Sequence, residues 1–128
     1  MEKEDFVTYE QAEKLKELEF GELVFYCYTE GDETLKVREE PINWNNGVSF
    51  LSAPTLAQVQ KWLRKEKNLF VEPRLFYDKF HTDCKSPLRS KYWEVEHGKN
   101  YFSYEEALSA GITKCIEILE NEKIHKRT

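Results

Sequence analysis

Several residue types and motifs that usually accompany catalysis or membrane insertion are scarce or missing in this sequence. Its 128 residues include three histidines, three cysteines, five glycines and four prolines. No glycine-rich phosphate loop, His-Glu-x-x-His zinc motif or nucleophile elbow occurs. No apolar run reaches the roughly 18 residues of a membrane-spanning helix, and the charged start Met1–Asp5 has no apolar signal-peptide segment. These absences favour a protein with neither a motif-defined active site nor a membrane anchor.

The cysteines and the net charge narrow the class of protein further. Cys27, Cys84 and Cys115 are an odd number at wide spacing, which is typical of reduced thiols in a cytoplasm rather than of a disulfide framework. The formal net charge is −5, whereas nucleic-acid binding needs clustered Lys and Arg. We therefore predict a cytoplasmic protein for which nucleic acid is not the expected partner, with Cys27 and Cys115 as packing residues.

The sequence does contain the same helix-starting signal at three positions. Thr8, Thr55 and Ser103 each stand three residues before Gln or Glu. This spacing is the capping box, in which a hydroxyl group and an amide or carboxylate satisfy the first N–H groups of a helix. The signals predict helices over Tyr9–Glu19, Leu56–Lys67 and Tyr104–Asn121. We expect Gly21 to end the first helix, and Gly111 to allow the third to approach a strand closely.

The segments between these helices are aromatic or alternate in polarity, and they predict strands. Thr82–Ser90 reads as a polar loop, and His97-Gly98 as a hairpin turn. The predicted strands are Leu23–Tyr28, Thr34–Arg38, Val48–Leu51, Leu69–Glu72, Arg74–His81, Lys91–Glu96 and Lys99–Phe102. The order α-β-β-(β)-α-β-β-β-α predicts an α+β fold, with a mainly antiparallel sheet of about five to six strands packed against three helices. We predict a single domain over residues 1–128, with residues 1–5 and 122–128 frayed.

The densest group of reactive side chains is His81-Thr82-Asp83-Cys84. A thiol nucleophile at Cys84 with His81 as its base would be one use of this group. A metal site would add His97 or Cys27, although structural zinc usually has two close ligand pairs and only one is present. A small thiol- or metal-dependent enzyme using His81, Cys84 and His97 is therefore an alternative function, while the leading prediction has no catalytic residue, no metal and no cofactor.

Aromatic residues supply the candidate binding positions. Trp44 lies in a turn-rich polar loop, Pro41–Gly47, without a periodic apolar partner, and exposed aromatic side chains often anchor interfaces. We take four residues as candidates for contact with a partner: Trp44, Asn45, Tyr77 and Trp93. For Trp62 and Trp93 core packing is the stronger interpretation.

Binding of RNA or single-stranded nucleic acid is a second alternative. Five tyrosines with interleaved Lys and Arg could form a stacking platform: Tyr26, Tyr28, Tyr77, Tyr92 and Tyr101. The segment from Thr55 to Asn121 also has the α-β-β-β-α order of double-stranded-RNA-binding domains. Those domains carry lysines at the start of the last helix, where this sequence has Glu105 and Glu106. These carboxylates would repel phosphate.

Two motifs resemble those of a known group of proteins. The segment Ser52–Glu66 contains Ala53-Pro54-Thr55 followed by Trp62-Leu63-Arg64-Lys65-Glu66, and Tyr104–Ile112 reads Tyr-Glu-Glu-Ala-Leu-Ser-Ala-Gly-Ile. With the opening from Phe6 to Leu18, these segments are similar to small uncharacterised proteins of gut bacteria and their phages and prophages. The resemblance covers about half the chain and brings no known activity. It implies a phage or mobile-element context.

Together these observations predict a non-enzymatic cytoplasmic binding or accessory protein. We expect a protein partner rather than a membrane or nucleic acid, and a monomer or weak homo-oligomer. Such a protein should carry an apolar or aromatic surface patch near Trp44 or on an exposed strand face.

Overall fold

A computed structural model describes residues 2–95 and 101–126 of the chain. It contains three helices and six strands: α1 (Tyr9–Glu17), β1 (Val24–Thr29), β2 (Asp32–Ile42), β3 (Phe50–Ser52), α2 (Leu56–Lys67), β4 (Phe70–Phe76), β5 (Lys79–Ser86), β6 (Lys91–Glu94) and α3 (Tyr104–Lys126). Short 3-10 turns cover Lys3–Asp5 and Trp44–Asn46. The predicted α+β class and element order are confirmed, and β3 fills the optional strand position.

The chain divides into two compact units, Met1–Thr55 and Leu56–Thr128, and each contains one three-stranded antiparallel sheet. The predicted strands are therefore shared between two sheets. In the part of the chain that the structure describes, none of the helices has both the length and the apolar character to cross a membrane.

Helix α1 of the first unit begins and ends with well-defined caps. Gln11 N–H donates to Thr8 Oγ1, and Thr8 N–H donates to Gln11 Oε1, so the predicted capping box is present. The helix does not end through Gly21 as predicted. Instead Glu19 adopts the left-handed conformation (φ 65°), and Phe20 N–H donates to Leu15 O. This is a Schellman cap, in which the buried Phe20 packs after the last turn.

The sheet of the first unit has the order β2-β1-β3. Strand β2 forms its outer edge and pairs irregularly with β1, because Val24 faces Ile42 while Tyr26 faces Val37. The stretch of β1 from Val24 to Tyr26 is therefore matched by a longer stretch of β2, which bulges between Val37 and Ile42. Under the sheet, the Tyr28 hydroxyl donates to Val7 O at 2.7 Å in a buried position.

The second unit packs α3 along strand β5. A Cβ atom placed on Gly111 would lie 2.1 Å from Val71 Cγ2 and 3.0 Å from Thr82 Oγ1. Only glycine allows the helix to come this close to the sheet, as the sequence predicted. Helix α3 starts after Ser103, whose hydroxyl accepts from Glu106 N–H, and it continues beyond the predicted end at Asn121.

One loop prediction and one strand prediction in the second unit were wrong. Residues 82–86 are not a polar loop but the buried half of β5, where Thr82, Cys84 and Ser86 face inward. The predicted strand Arg74–His81 contains the turn of the β4–β5 hairpin at residues 77–78. Residues 96–100, including the predicted His97-Gly98 turn, lie outside the described residues, and Tyr101 forms a bridge with Phe80.

Candidate functional site

The β4–β5 hairpin ends in a two-residue turn made by Tyr77 and Asp78, with Phe76 paired to Lys79. Tyr77 has φ 59°, a left-handed conformation that is uncommon for bulky residues and that hairpins usually assign to Gly, Asn or Asp. Its side chain is 88% exposed. A large aromatic residue therefore stands at the tip in a conformation that is unfavourable for it.

Around this tip the second unit exposes a set of large apolar side chains, which we call the hairpin patch: Leu75, Phe76, Tyr77, Phe102 and Tyr104. The rings of Phe76 and Tyr77 meet edge to face at 4.8 Å. Two contacts join the later residues to the hairpin: Lys79 Nζ lies 5.5 Å from the Phe102 ring centre, and the Tyr104 ring packs 6.0 Å from Phe80. Phe102 and Tyr104 are thus connected to the hairpin through Lys79 and Phe80.

The face of this sheet that points away from α3 is charged. Glu72, Asp83 and Glu94 are directly paired across β4, β5 and β6, and like charges in this position destabilise a sheet. Asp83 is buried, forms an ion pair with Arg74 and accepts a hydrogen bond from the Tyr92 hydroxyl at 3.1 Å. Partial burial and this hydrogen bond raise the pKa of Tyr92. A pocket of about 260 Å³ lies along the face.

His81 and Cys84 do not form a catalytic pair in this arrangement. They are three residues apart on β5, so their side chains lie on opposite faces of the sheet. His81 packs edge to face against the ring of Phe76, whereas the Cys84 sulfur is buried 3.2 Å from Cys115. His97 lies outside the described residues. Within residues 2–95 and 101–126, no group of three or more His, Cys, Asp or Glu is placed to hold a metal ion.

Trp44 and Asn45 belong to a loop that is tied firmly into the first unit. The Trp44 indole N–H donates to Val24 O at 2.9 Å, and its ring packs 5.7 Å from Phe50. Asn45 donates to Phe20 O at 2.8 Å and accepts from Ser52 N–H at 2.9 Å. The Asn45 amide is therefore used inside the fold.

Trp44 also lines a shallow surface pocket of about 550 Å³. The other lining residues are Leu23, Pro41, Ile42, Asn43, Asn46, Gly47 and Phe50. Leu23 is 62% exposed at this pocket, and the Arg38 guanidinium lies 5.6 Å from the Trp44 ring centre. The first unit thus has its own apolar surface, with an indole that is half-buried.

The fourth candidate residue, Trp93, lies on β6 opposite Cys84. It faces the same side of the sheet as Cys84, toward α3, and it is half-buried. Of the four candidates, Tyr77 is therefore the most exposed. Tyr77 could be identified from the sequence as a candidate, but its turn could not, since no Gly or Asn marks the hairpin. The sequence also did not identify Leu75, Phe76, Phe102 or Tyr104 as its neighbours.

Comparisons with family models, with curated proteins and with solved structures gave no match for this chain.

Proposed function

We propose that this protein is a non-enzymatic binding module that contacts a protein partner through the hairpin patch. The observation that carries the proposal is Tyr77, an almost fully exposed aromatic side chain at a left-handed turn position. Contiguous exposed apolar patches mark interaction sites in soluble domains. Aromatic residues are enriched at the centres of protein interfaces.

The backbone conformation of Tyr77 supports selection for binding rather than for stability. A non-glycine residue in the left-handed region costs about 1 kcal/mol or more, and Asn or Gly would relieve this strain in a hairpin turn. Burial of the ring against a partner would offset the strain. Within the fold the Tyr77 ring packs edge to face on Phe76, and most of the residue stays exposed to a partner.

The surroundings of the patch favour a protein partner over the two alternatives. Two exposed carboxylates, Glu72 and Glu94, flank the buried Asp83 on the sheet face that points away from α3, which disfavours binding of a nucleic-acid backbone. His81 and Cys84 lie on opposite faces of β5, which supports a protein without thiol catalysis. The phage or mobile-element context and the cytoplasmic location remain part of this proposal.

Site-specific photocrosslinking tests the proposal. A photoreactive phenylalanine analogue replaces Tyr77 in the full chain expressed in its source cells, and the crosslinked protein is identified and purified. Binding of that partner is then measured for the wild type, Phe76→Ala and Tyr77→Ala. Loss of one aromatic anchor should weaken the affinity at least tenfold, which corresponds to about 1.4 kcal/mol.

Two exposed leucines provide matched controls. Leu88, 79% exposed in the β5–β6 loop, and Leu23, 62% exposed in the Trp44 pocket, should tolerate substitution by Ser without change in affinity. If Leu23→Ser abolishes binding while Tyr77→Ala leaves it intact, the Trp44 pocket is the binding site and the proposal is wrong. A protein that crosslinks to position 77 only as a second copy of this chain would also overturn it.

A further inference from the structure

Two of the three cysteines lie side by side inside the second unit. The Sγ atoms of Cys84 on β5 and Cys115 on α3 are 3.2 Å apart, and both side chains are fully buried. Both are free thiols. A disulfide has an S–S distance of about 2.05 Å, so a small movement separates this pair from a covalent bond.

The pair follows from the way α3 runs along β5 in the same direction. Gly111 lies over Thr82, and one helical turn later Cys115 lies over Cys84. Four helical residues rise about 6 Å and two strand residues about 6.6 Å, so the two spacings match. The close approach at Gly111 therefore also sets the contact between the thiols.

Arg89 secures the far end of the same helix. Its Nε and Nη2 atoms donate to the Glu122 carboxylate at 2.5 and 2.9 Å, and its Nη1 atom donates to Lys67 O at 2.6 Å. The register of α3 on β5 is thus fixed on both sides of Cys115. The two sulfur atoms are held together by the fold rather than by chance rotamers.

The two thiols differ in acidity. The hydrogen bond from the Cys115 thiol lowers the pKa of Cys84, and the Arg89 charge acts in the same direction. The same contact, together with burial, raises the pKa of Cys115. Because the thiolate is the reactive form of cysteine, Cys84 is the more readily ionised thiol of the closed pair.

We propose that Cys84 and Cys115 form an internal disulfide by exchange with a small-molecule disulfide, and that this bond locks α3 onto β5. The Cys84 thiolate attacks one sulfur of the reagent, whose S–S bond breaks and releases one thiolate. The Cys115 thiolate then attacks Cys84 Sγ in the mixed disulfide and releases the second thiolate. The two released thiolates take up the two protons that the cysteines lost, so the protein is oxidised and the reagent is reduced to two thiols.

Burial controls the reaction. Neither sulfur is accessible in the closed structure, so the reagent reaches Cys84 only when α3 opens locally from the sheet. Once formed, the disulfide prevents that opening. This modification site is independent of the proposed binding function.

Peptide mapping under non-reducing conditions tests the inference. The full chain is incubated with oxidised glutathione under native conditions, verified by circular dichroism, and digested after alkylation of the remaining thiols. We expect a Cys84–Cys115 crosslinked peptide, an intact mass about 2 Da lower, and a free Cys27. The disulfide closes a long loop, and we expect it to raise the Tm by about 5–10 °C relative to the reduced protein.

Cys27 is the internal control, because it is equally buried in the first unit. Cys27→Ser should leave the crosslinked peptide unchanged, and Cys84→Ser and Cys115→Ser should each abolish it. The wild-type map decides the question even if a serine variant fails to fold. Stable glutathione adducts without the crosslinked peptide, or a disulfide that forms only after global unfolding, would overturn the inference.

Discussion

Each of the two units of this protein is stabilised internally by a different kind of contact. In the first unit, side chains donate to and accept from the backbone of a loop: Lys16 Nζ donates to Gly47 O at 2.8 Å and Phe50 O at 2.9 Å, and Asn45 bridges Phe20 and Ser52. In the second unit, a helix lies close to two strands, with Gly111 against Val71 of β4 and Thr82 of β5. Directional hydrogen bonds hold the loop of the first unit, and close packing places the helix of the second.

This difference indicates which kind of substitution destabilises each unit. A hydrogen-bonded loop loses stability when a polar group is removed, because its buried partner is left without a bond. A closely packed helix loses stability when volume is added. Each unit should therefore respond to substitutions that the other would tolerate.

The largest effect should come from Gly111→Ala in the second unit. The added methyl group would lie 2.1 Å from Val71 Cγ2, and we expect a net loss of about 2–3 kcal/mol in the free energy of unfolding, measured by urea denaturation, despite the better helix propensity of alanine. In a Val71→Ala background the same substitution should cost at least about 1 kcal/mol less. Additive effects would show that the close contact is not the cause.

A smaller loss should follow from Asn45→Ala in the first unit. The substitution removes the two bonds that the Asn45 side chain makes to the N–H of the buried Ser52 and to the carbonyl of Phe20, which should cost about 2 kcal/mol in urea denaturation. The neighbouring Asn46 is exposed, and Asn46→Ala should change stability by less than about 0.5 kcal/mol. Equal effects of Asn45→Ala and Asn46→Ala would mean that the side-chain hydrogen bonds of Asn45 do not stabilise the first unit.

The smallest effect should come from Tyr28→Phe, at about 1 kcal/mol near neutral pH, because the bond to Val7 O is lost. Burial, with a smaller contribution from Glu33, raises the pKa of Tyr28 above 10.0. The folded state therefore favours the protonated phenol. The stabilisation of the folded state by the protonated Tyr28 hydroxyl is complete below pH 10 and is lost as the pH rises through the folded-state pKa.

Urea denaturation between pH 8 and pH 11.5 checks this dependence. The wild type should lose stability more steeply than Tyr28→Phe as the solution becomes alkaline, so the gap between the two curves should narrow. Parallel curves across the range would mean that Tyr28 does not titrate with unfolding.

The helix starts could be predicted because they depend on local chemistry. Thr8 and Gln11 are neighbours on the first turn, and their reciprocal bonds need no tertiary context. The end of α1 could not be predicted from Gly21, because Glu19 takes the left-handed position and Phe20 is buried to complete the cap. Here tertiary packing overrode the preference for glycine.

The second part of strand β5, residues 82–86, was missed because its inward residues look polar. Thr82, Cys84 and Ser86 are small side chains that fit beneath a closely packed helix, so their burial depends on a partner distant in sequence. The thiol pair of Cys84 and Cys115 could not be predicted for the same reason. Gly111 was the single sequence signal of this close approach, although the sequence did not say which strand it meets.

Part of the candidate site could be predicted, and part could not. An aromatic residue at position 77 is visible in the sequence, but its turn is made by Tyr77 and Asp78 without a marker glycine. Phe102 and Tyr104 join the hairpin patch only through the folded positions of Lys79 and Phe80. Trp44 was predicted to contact a partner because it lies in a polar loop, yet its indole N–H donates to Val24 O within the fold.

The bulge of β2 has a consequence for how this protein behaves at high concentration. Open edge strands recruit further strands and can begin aggregation, and natural proteins blunt them with charges, prolines and irregular backbone. Between Val37 and Ile42 the edge carries Arg38, Glu39, Glu40 and Pro41. Another copy of the chain would meet a kinked, charged border there, so stacking of molecules into fibrils through this edge is disfavoured.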